Sequence, residues 1–284
     1  MSVTQTPEND SQVTRPSAVE TYAPLLGRTQ GLRGSSEIMA GARAELAPSP
    51  ITTALSSLGG RVTARTVINL GLHKSAVNFF AARMAVFTEI ILKLLRDKPQ
   101  PLMVDLASGY SPLGFQIAQE LPHAQVKEID LAQVQQEKRK RLQKGRVEMP
   151  PNLELVDTNL GEQPLHHVLR GHPADVISYT GIYFTPQEQV MVARYLRDNL
   201  STDGACVCIT QWKEGQRQIR EATRFFRSQT GETPGIWEHE TAAAKIFRDA
   251  GFSSVQVIFP SQIGEKLGAT LPIMDVELIV VARN

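Results

Sequence analysis

Gly109 and Asp130 stand 130 − 109 = 21 residues apart, and the residue types at both ends give that spacing a chemical meaning. A glycine lets backbone approach a ligand closely, and a carboxylate ending the next strand accepts hydrogen bonds from both hydroxyls of a ribose. The pair points to a nucleoside site. Asp105 lies just ahead of the glycine, where a carboxylate can bond a ligand or orient the turn. Six histidines offer proton removal, the role imidazole suits near neutral pH. His73, in G-L-H-K at the entry to a long helical pattern, is the candidate base. His166, His167 and His172 share a loop region read as surface, and His239 (W-E-H-E) enters a helix from which it could face a substrate. Tyr22, Tyr183, Trp212 and Trp237 could line an apolar pocket, although such aromatics usually fill cores. No serine-histidine-acid order, P-loop or clustered metal-ligand set stands out, so no metal is expected.

These residues need elements to hold them. Leu102 to Leu106 is an apolar run broken by Asp105, Ala107-Ser-Gly-Tyr-Ser-Pro is turn chemistry, and Phe115, Ile117, Ala118 and Leu121 fit a short helix with one buried face. Val126 to Ile129 resumes strand character up to Asp130. Upstream, Lys74 to Leu95 reads as one helix whose Phe80, Met84, Phe87, Ile91 and Leu94 form a stripe, stopped by D-K-P-Q-P. Downstream, a charged helix (about 132–144) precedes a strand at Leu153–Asp157, and Ala174–Tyr179 is the next strand. A helix over Gln187–Leu200, a strand at Ala205–Thr210, a helix over Thr241–Ala250 ended by Gly251, and strands at Val255–Phe259 and Val276–Ala282 follow. The last two strands lack a clear helix between them and should pair antiparallel. The expected fold is α/β, a mostly parallel, doubly wound, Rossmann-like sheet ending in an antiparallel hairpin. Residues 1–18, polar and rich in Thr, Ser and Gln, are expected to be disordered, and 19–73, punctuated by Gly and Pro, to form a helical cap on a main domain of 74–284.

Composition narrows the function class. With 42% hydrophobic residues the chain can bury a sizeable core, and a net charge of +1 implies no stripe for nucleic acid. The run Lys138-Arg139-Lys140-Arg141 is read as a solvated helix face. Cys206 and Cys208 alternate along a strand onto one sheet face as buried thiols. The polar start and the lack of a membrane-length apolar segment suit a cytoplasmic protein.

Together these segments resemble the class I S-adenosylmethionine-dependent methyltransferases, and among them the leucine carboxyl methyltransferase family, which includes O-methyltransferases of polyketide and other natural-product pathways. L-A-S-G-Y-S-P-L-G-F is similar to that family's first motif, and E-I-D-L-A-Q-V-Q-Q-E-K to its E-V-D-x-P-x-V-x-x-x-K segment. L-V-D-T-N-L resembles its third-strand acid, and V-I-S-Y-T-G-I-Y-F-T-P-Q-E its V-x-S-E-G-L-L-x-Y-L-x-P-E-E segment. The resemblance spans Arg83 to the C-terminus. It implies S-adenosyl-L-methionine as cofactor and S-adenosyl-L-homocysteine as product. Ala107, Ser108 and Gly109 would face the methionine portion, Asp130 with Leu131 the ribose side, and Asp157, Thr158 and Asn159 the adenine amino group. Ser178, Tyr179 and Thr180 would end the fourth strand at the cleft, Arg83 stands near the family's arginine for the cofactor carboxylate, and Asp105 joins the cofactor set. Tyr22, Tyr183, Trp212 and His239 are the substrate-side candidates.

The chain departs from the pattern at Ala107, a usual glycine, at Ser111, a common acid, and at Tyr179, a frequent glutamate. The first expectation is O-methylation of a small-molecule hydroxyl or carboxylate. The alternatives are a methyltransferase-fold protein that binds the cofactor without methylating, and an NAD(P)-dependent oxidoreductase, against which A-S-G-Y-S-P lacks G-x-G-x-x-G.

Overall fold

In the computed structural model the described residues are 74–144, 146–180, 186–212, 214–215, 236–264 and 275–284. The expected tail and cap, with Tyr22 and His73, and the Tyr183 segment lie outside them. The chain runs α1 (Lys74–Leu95), β1 (Leu102–Leu106), α2 (Leu113–Glu120), β2 (Gln125–Asp130), α3 (Ala132–Lys144), β3 (Leu153–Asp157) and α4 (Leu165–Val168). It continues through β4 (Ala174–Thr180), α5 (Pro186–Arg197), β5 (Leu200–Trp212), β6 (Ile236–Trp237), α6 (Glu240–Asp249), β7 (Ser254–Ile258), α7 (Pro260–Gly264) and β8 (Glu277–Arg283).

The strands form one sheet in the order β3-β2-β1-β4-β5-β8-β7, with the short β6 beside β5. β1 to β6 pair in parallel, whereas β8 runs antiparallel to both β5 and β7. The expected mostly parallel sheet with a closing antiparallel hairpin is therefore present. The short helix α7 interrupts the hairpin connection, a turn of structure that P-S-Q-I-G did not announce. All five residues of β1 are buried, as a central strand covered on both faces requires.

Two apolar layers flank the sheet. On one face Val86, Phe87, Ile91 and Leu95 of α1 and Phe115 and Ile117 of α2 meet Met103, Val176, Val207 and Ile279. On the other, Ala193 and Leu196 of α5 and Ala243 and Phe247 of α6 meet Val104, Ile177, Cys206, Cys208 and Val280. Burying a side chain the size of Phe115 or Leu196 contributes roughly 1.5–3 kcal/mol, so each face holds its helices mainly by apolar contact. The expected stripe on α1 widens, because Val86, Ile90 and Leu92 are buried beside Phe87 and Ile91.

Gly251 ends α6 as its position suggests. Its φ of +94° permits the left-handed turn in which Gly251 N–H donates to Arg248 O at 2.9 Å and Phe252 N–H to Phe247 O at 3.1 Å. The Phe247 and Phe252 rings, 5.7 Å apart, close that turn with an apolar contact. Cys206 and Cys208 are buried thiols in the same apolar layer, as alternation along a strand predicts.

Candidate functional site

Parallel pairing brings the carboxyl ends of β1, β2, β3 and β4 to one edge, where open α/β sheets bind ligands. The β1–α2 loop starts there. Ala107 has φ +50° and Gly109 φ +52°, so the loop takes two left-handed steps, one of them at a residue carrying a Cβ. Gly109 N–H donates to Asp130 Oδ2 at 2.6 Å, and Leu131 N–H to Asp130 Oδ1 at 2.7 Å. The two residues singled out by spacing thus meet directly. The Asp130 carboxylate uses one oxygen to hold the glycine loop and the other to hold the turn after β2. A carboxylate oxygen has more than one lone pair, so Asp130 keeps acceptor capacity for hydroxyls. Leu131 beside it is 50% exposed, an apolar face at the strand end.

Behind this edge lies a polar row inside the sheet. Asp105 is in register with Glu128 on β2 and with Ser178 on β4, and all three are buried. Ser178 Oγ donates to Asp105 Oδ1 at 2.6 Å. Burial first, and then the Glu128 charge, raise the Asp105 carboxyl to about 7, against the opposing pull of the Ser178 hydroxyl and Lys138. Burial likewise pushes Glu128 upward, while Lys138 and the Gly114 backbone pull it down.

Glu128 pairs with Lys138, and both side chains are fully buried. Lys138 is the first residue of the basic run read as a solvated face. That reading is corrected here: Lys138 Nζ also donates to Ser111 O at 2.7 Å, and Arg139 donates to Asp157 Oδ1 at 2.6 Å. Only the helical period, applied residue by residue, separates the inward Lys138 from the outward Lys140. Glu128, ten residues earlier (138 − 128 = 10), shares the Val126 face of β2, and an acid at that inward position is the sequence signal that could have identified its partner.

Ser108, Asp157, Thr158, Asn159 and Thr180, also expected at the cofactor, fall at the same edge or just behind it. Ser108 is buried, and its N–H donates to Ile129 O at 3.3 Å. Asp157 follows Val156 at the end of β3, in register with Asp130. Thr158 N–H donates to Asp130 O at 2.9 Å, linking the β2 and β3 ends, and Thr158 Oγ1 lies 3.2 Å from Gln163 Oε1. Asn159 Oδ1 accepts from Gly161 N–H at 3.0 Å. Thr180 ends β4 half-buried. Tyr179 points to the opposite sheet face, into the layer holding Cys206 and Cys208, where burial pushes its phenol well up. Arg83 lies in α1 by its backbone, and its side chain is outside the described set.

On the acceptor side, Trp212 is half-buried with its indole N–H donating to Asp275 O at 2.8 Å and its ring against Phe259. Trp237 is buried and donates to Thr210 Oγ1 at 2.8 Å. His239 is exposed at the N-cap of α6. Sequence reading passed over Glu277, buried at the start of β8, whose Oε1 accepts from Gln211 Nε2 at 3.4 Å. A single acid inside D-V-E-L-I-V-V carries no spacing signal. Among the described residues no His, Cys, Asp and Glu cluster suits a metal ion, and no helix is long and apolar enough to cross a membrane.

A family model described as leucine carboxyl methyltransferase matches residues 61–180, the span from before α1 through β4. No curated protein matches the sequence. Among solved structures, a putative methyltransferase from Thermobifida fusca YX is 16% identical with a TM-score of 0.56, covering 98% of each chain. A putative O-methyltransferase from Nostoc punctiforme PCC 73102 is 18% identical with a TM-score of 0.52, covering 88% of this chain and 73% of its own. An O-methyltransferase family protein from Burkholderia thailandensis is 17% identical at a TM-score of 0.52, and this chain spans 58% of its length while 74% of this chain is covered. The solved structures, each below 20% identity, share the fold of this chain, and the family match, confined to residues 61–180, is to a methyltransferase model. The residues at the strand ends would suit a nucleoside-bearing cofactor such as S-adenosylmethionine: a half-exposed carboxylate with spare acceptor capacity, an exposed leucine beside it, and a loop that takes left-handed steps at Ala107 and Gly109.

Proposed function

We propose that this chain transfers the methyl group of S-adenosylmethionine to an oxygen, hydroxyl or carboxylate, of a small organic acceptor in natural-product biosynthesis in the cytoplasm. The observation that carries the reading is the junction of Gly109 N–H with the Asp130 carboxylate at the carboxyl ends of β1 and β2. The family description names a carboxyl acceptor, and two of the similar structures are described as O-methyltransferases. Both favour oxygen as the nucleophile.

In this reading Asp130 bonds the ribose hydroxyls, with Leu131 beside it. Asp157, Thr158 and Asn159 meet the adenine, and Ala107, Ser108 and Gly109 present backbone to the methionine portion. Asp105, through Ser178, holds the turn from β1, and Ser178 and Thr180 close the β4 side, while Tyr179 contributes its backbone there and anchors the strand end in the opposite apolar layer. Arg83 on α1 meets the carboxylate of the same ligand. When bound, the cofactor would supply an electrophilic methyl carbon on a sulfonium, with a thioether as the leaving group for an attacking acceptor oxygen. The protein's share is to align the acceptor oxygen with that carbon and keep water away, a contribution that positioning alone can make large. A hydroxyl acceptor gives its proton to a base, for which His73, immediately before α1, is the candidate; a carboxylate acceptor is already ionised and needs none. Residues 19–73 serve as the cap over the acceptor, with Tyr22, Tyr183, Trp212 and His239 as candidates for its walls.

The test is mass spectrometry of a panel of hydroxyl and carboxyl compounds incubated with protein and cofactor. A methyl gain on one class names the acceptor type. Asp130→Asn should weaken cofactor binding by about 1–3 kcal/mol, the range for hydrogen bonds to a charged group. Saturable cofactor binding with no methylated product from any acceptor would favour a non-methylating role, and saturable nicotinamide binding instead would favour an oxidoreductase.

A further inference from the structure

Helix α3 faces the β1–α2 loop with side chains of unusual chemistry for a buried surface. Gln135 and Lys138 are fully buried, one helical turn apart, and Arg141 follows at the next turn. Gln135 Nε2 donates to Glu128 O at 2.9 Å and lies 3.4 Å from Ser108 Oγ. Lys138 Nζ donates to Ser111 O at 2.7 Å and pairs with the Glu128 carboxylate. The Arg141 guanidinium carbon sits 4.6 Å from the centroid of the Tyr110 ring. Three side chains spaced by one turn thus reach Ser108, Tyr110 and Ser111, which flank Gly109 on both sides.

A buried lysine–glutamate pair is a costly way to gain stability, since apolar replacements of such pairs are often neutral or stabilising. The loop gives the lysine another purpose. Ala107 holds φ +50°, a conformation unfavourable for a residue with a Cβ, so the loop needs external contacts to stay in that shape. We infer that Lys138, held by Glu128 and assisted by Gln135, is a positioning residue that clamps the Ala107–Pro112 loop in the form that receives the cofactor. The inference rests on the cofactor reading above. Lys138 acts through Ser111 O and the loop backbone, while Asp130 accepts from Gly109 N–H.

The experiment compares wild type, the charge-neutral double variant Glu128→Gln/Lys138→Met, and Gln135→Leu. Calorimetry measures the affinity of each for S-adenosylhomocysteine, hydrogen exchange follows the loop amides without ligand, and thermal unfolding reports stability. Both variants should bind at least tenfold more weakly and exchange the amides of 108–111 at least tenfold faster, with sheet amides unchanged. A purely structural pair would lower the melting temperature and leave affinity and loop exchange as in wild type, which overturns the clamp. Gln135→Leu keeps the ion pair and carries the same test at the other end of the loop should the double variant not fold. Wild-type protein that fails to bind S-adenosylhomocysteine sinks the cofactor reading and the clamp with it. Wild-type binding with unchanged variants sinks the clamp alone.

Discussion

Asp105→Asn should make the protein more stable at mildly alkaline pH, and the gain should disappear in acid. The carboxyl stands between Glu128 and Ser178 in the sheet, only 5% exposed, and its value rises from 3.8 to about 7 through burial first and the Glu128 charge second. A folded value above the unfolded one means that the native chain keeps the proton over a range where the unfolded chain has lost it. The associated stability is full below the unfolded value and is lost as pH rises through about 7. At about 1.36 kcal/mol per pKa unit, the roughly three units amount to about 4 kcal/mol, of which about 3 kcal/mol falls between about pH 5 and about pH 8. Asparagine keeps the shape and the oxygen that accepts from Ser178, but it stays neutral throughout. Urea unfolding of both proteins at the two pH values isolates the contribution, because other titrating groups are common to both. The stability of the variant relative to wild type should rise by about 3 kcal/mol toward the alkaline condition. A difference constant to within about 1 kcal/mol would show that Asp105 is ionised in the native state and that the burial argument fails.

Two further substitutions probe the frame around the site. At Gly114 an added methyl would collide with the Glu128 carboxylate, so Gly114→Ala should cost about 1–3 kcal/mol in urea unfolding and shift α2 away from β2. Asn152 Nδ2 donates to Ala118 O, Leu121 O and Ala124 O at 3.0, 3.1 and 2.9 Å. Asn152→Ala should therefore lower stability by about 2–3 kcal/mol while S-adenosylhomocysteine affinity, read by calorimetry, stays at the wild-type value.

The fold was legible where a local rule and the tertiary demand coincide. β1 is apolar but for Asp105 because a central parallel strand must be largely so, Gly251 stops α6 because only a left-handed step completes that turn, and the Gly109–Asp130 spacing is the length of one turn, one short helix and one strand. The chain hides what depends on which way a single side chain faces. Lys138 sits in a run of four basic residues, and composition assigns all of them to solvent although the helix turns one inward. Trp212 advertises an apolar wall, yet its N–H is committed to Asp275 O across a separation of 63 residues that no local pattern records. The bounds of β5 differ for a related reason: Leu200 reads as the end of the preceding helix, with T-D-G after it, but pairing with β4 draws Leu200 into the strand.

The place of β8 has a consequence for how the molecule assembles. β7 precedes β8 in the chain but reaches the sheet only through it, because β8 lies between β7 and β5. During synthesis β5 therefore leaves the ribosome with one side unpaired, and β7 emerges with no neighbour to join. Both must wait until Glu277–Arg283 slots between them, pairing antiparallel on either hand. The polar outer positions of β7, Ser254 and Gln256, suit a strand that spends that interval open to water. β5, whose middle is wholly buried in the finished fold, has no such protection, and the interval before β8 arrives is when this chain is most exposed to pairing with another copy.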